Sequence, residues 1–502
     1  MAHEKREIER KYESDDSGLP DLSGVGGVAA VLDKGLVELD ATYYDTADER
    51  LAAAALTLRR RTGGADAGWH LKFPVAPGVR DEIRAPLSDT VPEEIAALVR
   101  SRVRDDELIP LVRLRSARDV RHLVDADGTL LAEASVDAVT AERLTGKGGA
   151  AQWTEIEVEL ADGGDPAFLD QVETRLRGAG VRPSTSPSKL ARALEQTADG
   201  RHGRRGKKRP APPVTAGDHV LAYLHAQRDT LVELDPAVRR DVPDAVHRMR
   251  VATRRARSTL RTFRTVLDRT VTDPVGAELK WLAGELGVDR DQEVLAERLT
   301  TALRALPPDL VTGPVPERLA SWADARRGGA HGHLTGVLDS RRYLTLLDTL
   351  DTLLADPPLL KAAGKKPEKA LDKAVRKDLA ALSALVEQAL DLPPGEGRDL
   401  ALHEARKKAK CTRYAAEAAT PALGGPARSL TGSMKSLTTL LGDHQDSVMA
   451  RRALRELSAV AHAAGESAFT YGLLYGREEA RAAATERDLP GLWKEIGPGA
   501  SG

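Results

Sequence analysis

The chain holds one cysteine, Cys411, in 502 residues. That excludes an internal disulfide framework and any cysteine-based zinc cluster. Aromatic side chains are scarce as well, at 3% of the residues. A platform that stacks successive bases of a single-stranded nucleic acid needs more rings than this. No stretch approaches the ~18 consecutive apolar residues of a membrane-spanning helix. The opening residues, MAHEKREIERKYES, are charged where a secretory signal would be apolar. The expectation is an intracellular, cytoplasmic protein with no membrane partner. Net charge is nearly absent too: 74 basic side chains meet 76 acidic ones, leaving −2. A uniformly basic coat for nucleic acid is thereby excluded, but charges of either sign remain free to gather at particular sites.

Apolar residues make up 41% of the chain and charged residues 30%. The first figure suffices for packed cores, and the length suits two to four domains of ~100–200 residues each. One break is visible. Residues 197–217, TADGRHGRRGKKRPAPPVTAG, lack apolar periodicity and have the composition of a tether. Within it Arg201, Arg204, Arg205, Lys207, Lys208 and Arg209 put six positive charges in nine residues, either as a solvated tether or as an auxiliary polyanion contact. Before the break, period-two runs such as REIERKYE, LTLRRR, WHLKFP and TEIEVEL predict strands, with helices over 92–103 and 166–179. Residues 1–196 therefore read as an antiparallel β-rich α+β domain. After the break the apolar spacing turns helical and Pro or Gly separates the stretches, so 218–495 reads as an all-α bundle.

The strands share one peculiarity. Alternation puts Glu7, Glu9 and Lys11 on one face of the first strand, and Ile8, Arg10 and Tyr12 on the other. Arg59 and Arg61, His70 and Lys72, the series Arg80, Glu82 and Arg84, and the series Glu155, Glu157 and Glu159 repeat the pattern, and a further strand carries Arg113, Arg115 and Arg118. Two architectures fit: a salt ladder facing water, or a closed barrel whose interior is charged. The second is costly unless partners, water or a ligand compensate the charge. Carboxylates suit a hard divalent cation, and guanidinium and ammonium groups suit phosphate oxygens, so the sets together describe a site for a metal-bound polyphosphate.

These residues resemble the CYTH superfamily, the triphosphate tunnel metalloenzymes. Glu7-Ile8-Glu9-Arg10-Lys11 matches its E-x-E-x-K signature. The LRRR strand, the HLK strand, the R-x-E-x-R strand, an arginine strand, EIEVE and SPSKLARAL follow in the family's order over about 1–196. The resemblance implies an eight-stranded antiparallel β-barrel with an inward charged lining, which selects the second architecture. It also implies Mg²⁺ or Mn²⁺ as cofactor. Glu7, Glu9, Glu155 and Glu157 are the implied metal ligands, with Glu82, Glu159 and Asp137 as additions. Lys11, Arg59, Arg61, Lys72, Arg115, Arg118 and Lys189 are the implied triphosphate cradle, and Glu7, Glu9 and Lys11 the implied catalytic set. Superfamily members include adenylate cyclases and thiamine, RNA and inorganic triphosphatases. The scarcity of rings favours inorganic triphosphate as substrate.

The helical half contains a repeat. AVHRMRVATRRARSTL aligns with ALHEARKKAKCTRYAA, so that His247, Arg250, Arg254 and Arg257 fall on His403, Arg406, Lys410 and Arg413 at one offset. Downstream, Lys280 falls on Lys435 and Asp291 on Asp446 at an offset one residue shorter, the mark of a duplicated helical unit. Each basic set forms one stripe beside an apolar stripe. The second stripe stops at Glu417, which replaces the match to Arg261. Two like-charged stripes facing each other are easier to tolerate with a polyanion between them. Zinc is disfavoured, since no carboxylate stands at ligand spacing from His247 or His403. VHRMRVATRRARSTLRTFR, LGVDRD, LHEARKKAKCTRYAAE and LGDHQD make this half resemble the CHAD domain over about 218–495. That resemblance implies two helical bundles about a pseudo-twofold axis and a basic surface that binds inorganic polyphosphate without catalysis. The implied contacts are His247, Arg250, Arg254, Arg257, Lys280, His403, Arg406, Lys410, Arg413 and Lys435, with polyphosphate favoured over nucleic acid. The joint expectation is a metal-dependent inorganic triphosphatase with a polyphosphate-binding domain, cytoplasmic and open to association with polyphosphate granules. The alternatives are a non-catalytic polyphosphate binder and an adenylate cyclase.

Overall fold

The computed structural model describes residues 3–14, 18–146, 148–198, 212–327 and 330–497, with backbone alone at 288–291, 326–327 and 330–331. The basic run of the linker and the side chain of Asp291 lie outside the described residues. The chain divides into two compact units between residues 210 and 211.

Unit one carries strands β1 (His3–Ser14), β2 (Ala30–Asp45), β3 (Thr57–Thr62), β4 (Gly68–Ala76), β5 (Val79–Ala85), β6 (Ile109–Val124), β7 (Leu130–Arg143), β8 (Ala150–Leu160) and the two-residue β9 (Arg182–Pro183). Its helices are α1 (Arg50–Ala53), α2 (Glu93–Val103), α3 (Ala167–Gly178) and α4 (Lys189–Gln196). The antiparallel order is β5-β4-β3-β2-β6-β7-β8-β1, and β1 also pairs with β5. Along β1, His3–Ile8 pair with β5 and Glu9–Ser14 with β8, so the sheet closes into the expected eight-stranded barrel.

Packing explains why the charges go inside. Tyr12, Leu123, Ile156 and Val158 face outward and bury against Phe168, Leu169 and Val172 of α3. Leu58, Trp69, Leu71 and Ile83 do the same against Ile95, Leu98 and Val99 of α2. The cores thus lie between barrel and helices, and the opposite parity is left for the lumen. One end of the lumen is apolar. Val139, Ala141 and Trp153 share the parity of Asp137 and Glu155, and α4 packs on them through Leu190 and Ala193 as a stopper.

Unit two is helical, with α5 (Ala216–Arg239), α6 (Ala245–Thr262), α7 (Arg269–Glu285), α8 (Val288–Arg304), α9 (Val315–Arg327), α10 (Ala330–Asp339), α11 (Arg341–Ala355), α12 (Pro367–Asp391), α13 (Glu396–Leu423), α14 (Gly425–Ala463) and α15 (Phe469–Ile496). Apolar residues of α5, α6, α7, α11 and α12 form one core; those of α12, α13, α14 and α15 form a second. The two sequence repeats differ in one respect. The second runs through α14 without a break, while the first is interrupted between α7 and α8 at Leu286 and Gly287. Among the described residues no helix is long and apolar enough to cross a membrane.

Leu71→Ala removes a fully buried side chain between β4 and α2. It is expected to destabilise the barrel by about 2–5 kcal/mol in urea unfolding. Leu36→Ala, at a position 67% exposed, is expected to stay within about 0.5 kcal/mol.

Candidate functional site: a charged barrel lumen and a paired basic ridge

The barrel encloses a cavity of about 450 Å³, lined by ten cationic and seven acidic side chains. Glu7, Glu9 and Lys11 reach it from β1, as their shared parity requires. The turn between β4 and β5 fixes the middle of this motif. Gly78 there has φ of 73°, its carbonyl accepts from the Glu9 amide at 2.9 Å, and a Cβ would stand 2.7 Å from the Glu9 carbonyl oxygen. Only glycine fits this approach.

Inside, cations and carboxylates interlock. Lys72 Nζ bonds Glu7 Oε2. Lys11 Nζ bonds Glu157 and lies 3.2 Å from Glu9 Oε1. Arg118 grips Asp137 through Nε and Nη2, each at 2.7 Å, and reaches Glu157 at 2.6 Å. Lys189, the first residue of α4, sits 3.0 Å from Asp137, 2.7 Å from Glu155 and 2.5 Å from Glu157.

Burial opposes ionisation of Glu9 and Glu157, yet neighbouring lysines and arginines hold both pKa values below the ordinary carboxylate range. Glu7 goes the other way: burial outweighs Lys72 and raises its pKa. Burial, then the Arg59 and Arg118 charges, push Arg61 down to about 9. Arg59 and Arg61 each keep a buried Nε without a hydrogen-bond partner. The lumen is therefore over-supplied with donors and positive charge, the condition that an anionic guest relieves. Burial lowers His70 to about 4; its Nδ1 faces Glu82 Oε1 at 2.8 Å and its Nε2 the Asp66 carbonyl at 2.9 Å, the place of a supporting neighbour.

Most of the expected residues converge here, but Arg115, Glu82 and Glu155 do not line the cavity. Arg115 does not join the cradle. It stands three positions from Arg118, so the pleat turns it outward, where it is 58% exposed beside Asp40. Strand parity alone separates the two arginines. Glu82 is enclosed by His70, Lys72, Arg59 and Arg84, and Glu155 sits behind Lys189 with Trp153 Nε1 donating to it at 2.6 Å. Neither lines the cavity, whereas Glu159 does, paired with Lys5 at 2.7 Å. Lys5, Arg80 and Arg84 also line it. Their parity with Glu7 and Glu82 was the signal for them. Glu133 shares the parity of Asp137 on β7, while Lys34 on β2 carried no signal.

The donor set suits a divalent metal: Glu7, Glu9, Glu157 and Glu159 offer hard oxygens at the cavity wall. Asp137, Glu155 and Glu157 also each offer an oxygen within 4.8 Å of the others, but the Lys189 ammonium already occupies their centre.

In the helical unit the two basic stripes meet. The Ser258 hydroxyl of α6 donates to the Cys411 carbonyl of α13 at 3.5 Å. Burial, then Arg406, Arg254, Arg413 and Arg250, push Lys410 down to about 7. Arg254 and Arg257 make no ion pair among the described residues. Glu417 ends the stripe by bonding Arg255 at 3.0 Å and lying 3.4 Å from Arg413. His403 is half-buried and its pKa is lowered by burial, while His247, Lys280 and Lys435 are exposed.

Lys189→Met would strand three buried carboxylates. In the native protein Asp137 and Glu157 have lowered pKa values, despite burial, because Lys189, Lys11 and Arg118 surround them. Their stabilisation is present above the unfolded pKa of about 4 and is lost as pH falls through the lower folded values. Without the ammonium, at least one folded pKa rises and stability then falls as pH increases. In EDTA, thermal unfolding of the variant should show a loss of about 3–5 kcal/mol at pH 7.5 and a smaller loss at pH 5. Equal losses at both pH values would contradict this.

Comparison with known proteins places both halves. The CYTH domain family matches residues 5–192 and the CHAD domain family residues 222–455. The Uncharacterized protein Rv2226 of Mycobacterium tuberculosis is 40% identical over 488 residues, covering 94% of this chain and 92% of that protein. Among solved structures, PptA from Streptomyces chartreusis aligns at 24% identity and a TM-score of 0.48, covering 56% of this chain and 100% of that one. The CHAD domain from the plant Ricinus communis aligns at 24% identity and a TM-score of 0.43, covering 57% and 92%. CYTH domains are metal-dependent, and family members act as triphosphatases or cyclases. The chain is a member of the CYTH family that carries a CHAD domain after its barrel.

Proposed function

We propose that the barrel is a metal-dependent inorganic triphosphatase, cleaving tripolyphosphate to diphosphate and phosphate, and that the helical unit holds polyphosphate. The observation that carries the first part is the enclosed lumen, with ten cations against seven carboxylates and unpartnered guanidinium nitrogens. Tyr43 is the one aromatic ring among the described residues lining it, so a nucleobase finds no stacking surface beyond that ring, and Tyr43 is itself engaged by Arg59 at 3.4 Å. This favours an inorganic chain over a nucleotide and weighs against the cyclase reading.

Lys11, Arg59, Arg61, Lys72, Arg118 and Lys189 bind the phosphoryl oxygens and fix the chain along the lumen. Their charges, gathered along the lumen, stabilise the negative charge gathering on the departing diphosphate. Glu7, Glu9, Glu157 and Glu159 would hold Mg²⁺ or Mn²⁺, which when bound supplies charge neutralisation and electrophilic polarisation at the phosphorus. Glu9 and Glu157, ionised throughout the neutral range, suit the ligand role.

Purified protein with Mg²⁺ or Mn²⁺ should release phosphate from tripolyphosphate, and EDTA should abolish release. Arg59→Met is expected to lower kcat by about 10²–10³. A different observation favours a second reading, a binder without turnover: Glu7 and Glu157 are already neutralised by lysines. Tripolyphosphate binding with no phosphate release in either metal establishes that reading instead.

For the helical unit, supporting observations are the convergence of both stripes on Lys410 and the lack of ion pairs at Arg254 and Arg257 among the described residues. A polyanion there raises the Lys410 pKa, so binding takes up a proton at pH values above about 7. Polyphosphate affinity should therefore fall as pH climbs from 7 to 9, by up to about tenfold per unit for each proton linked. Lys410→Met should flatten that dependence. An unchanged pH profile in the variant would remove Lys410 from the site.

A further inference from the structure

The two copies of the basic ridge are not equal, and the difference lies at a pair of glycines. Gly287 and Gly442 occupy the same place in the repeated segments LGVDRD and LGDHQD. Each lies under the arginine of the aligned H-x-x-R and H-x-x-R sequences. A Cβ on Gly287 would meet Arg250 Nη2 at 2.8 Å, Cζ at 2.9 Å and Nε at 3.0 Å. A Cβ on Gly442 would meet Arg406 Nη2 at 3.5 Å, Nε at 3.7 Å and Cζ at 3.9 Å. The first set is closer than real side chains approach, and the second is ordinary van der Waals contact. In the first repeat the flat face of the guanidinium therefore rests directly on the backbone where α7 gives way to α8. In the second it stands farther off, against the unbroken α14, with every matched distance longer.

Conformational strain does not account for glycine at either position. Gly287 has φ of −104° and ψ of −20°, open to any residue. Gly442 is interior to α14, where glycine is destabilising by about 1 kcal/mol relative to alanine. What the missing side chain provides at position 287 is room for one guanidinium. We propose that Gly287 is a positioning residue for polyphosphate: its bare backbone is a seat that holds Arg250 against the α7–α8 junction, aiming it along the ridge shared with Arg254 and Lys410. Gly442 is not such a seat for Arg406. This rests on the polyphosphate reading of the helical unit and adds to it an asymmetry between the two halves.

The measurement is equilibrium binding of a defined-length polyphosphate to the full chain, as a function of salt. Arg250→Ala, Gly287→Ala, their double variant and Gly442→Ala are compared, with thermal midpoints measured alongside. Gly287→Ala is expected to weaken binding about as much as Arg250→Ala. It should lower the slope of log affinity against log salt by about one, as loss of one phosphate contact does. The double variant should be no weaker than Arg250→Ala. Gly442→Ala should bind as the native chain does, with an equal or higher thermal midpoint. Arg250→Lys keeps the charge but not the flat fork, and should weaken binding at an unchanged salt slope; this arm does not depend on how Gly287→Ala folds. If Arg250→Ala weakens binding and Gly287→Ala does not, the seat is wrong while the ridge stands. Equal losses in Gly287→Ala and Gly442→Ala would also overturn it. Native binding by Arg250→Ala removes both the seat and the ridge's role at that residue.

Discussion

A carboxylate or an ammonium cannot be left alone in a closed barrel, and this constraint organises the first half of the chain. Helices α2 and α3 cover the apolar parity of nearly every strand, so the charged parity has only the lumen to occupy. There each charge is answered by another. Lys189 is held by three carboxylates, Arg118 by two, and Lys11 by two. The compensation is uneven. Arg59 and Arg61 lack full partners, and burial with neighbouring positive charge leaves Arg61 with a pKa of about 9. A lumen built in this way is stable enough to fold yet has a standing electrostatic demand for an anion.

The helical half meets the same constraint by other means. Two basic stripes face each other, and the molecule limits their repulsion locally: Glu417 closes one end, and Lys410 has its pKa lowered to about 7 in the centre. Tyr414 adds its ring face to Arg255 and Arg413, at 5.7 and 5.0 Å. Among the described residues, Arg254 and Arg257 in the middle of the ridge have no ion pair. Both units thus concentrate positive charge beyond what their own acids neutralise, although the whole chain is close to neutral. A chain of phosphoryl groups is the ligand proposed for both.

Much of this was legible in the sequence. Period-two alternation located the strands and the charged face, because side chains on a pleated strand have no choice but to alternate. Alternation could not say whether that face looked in or out. The decision rests with apolar residues such as Trp69 and Ile156 and with the helices that cover them, which is long-range information. The resemblance to CYTH proteins supplied it. Arg115 shows where parity overrides the resemblance, which implied it beside Arg118 in the cradle although it lies at the opposite parity. Lys34 was illegible because the β2 register shifts between Asp33 and Gly35 and breaks the alternation there, whereas Glu133 shares the parity of Asp137 on β7 and could have been read from it. In the helical half the i, i+3, i+7 spacing placed each stripe on one helix face. That the stripes converge on Lys410, and that Gly287 and Gly442 lie beneath aligned arginines, follows only from packing.

The central claim is that the lumen's guanidinium groups, with Nε atoms of Arg59 and Arg61 left without a hydrogen-bond partner, hold a phosphate chain. Calorimetric titration of tripolyphosphate with Mg²⁺ into the native protein and into an Arg59→Met, Arg61→Met double variant tests it most directly. The account requires tight, salt-sensitive binding by the native barrel and its loss in the variant, with the thermal midpoint of the ligand-free variant kept or raised. Undiminished binding by the double variant would contradict it.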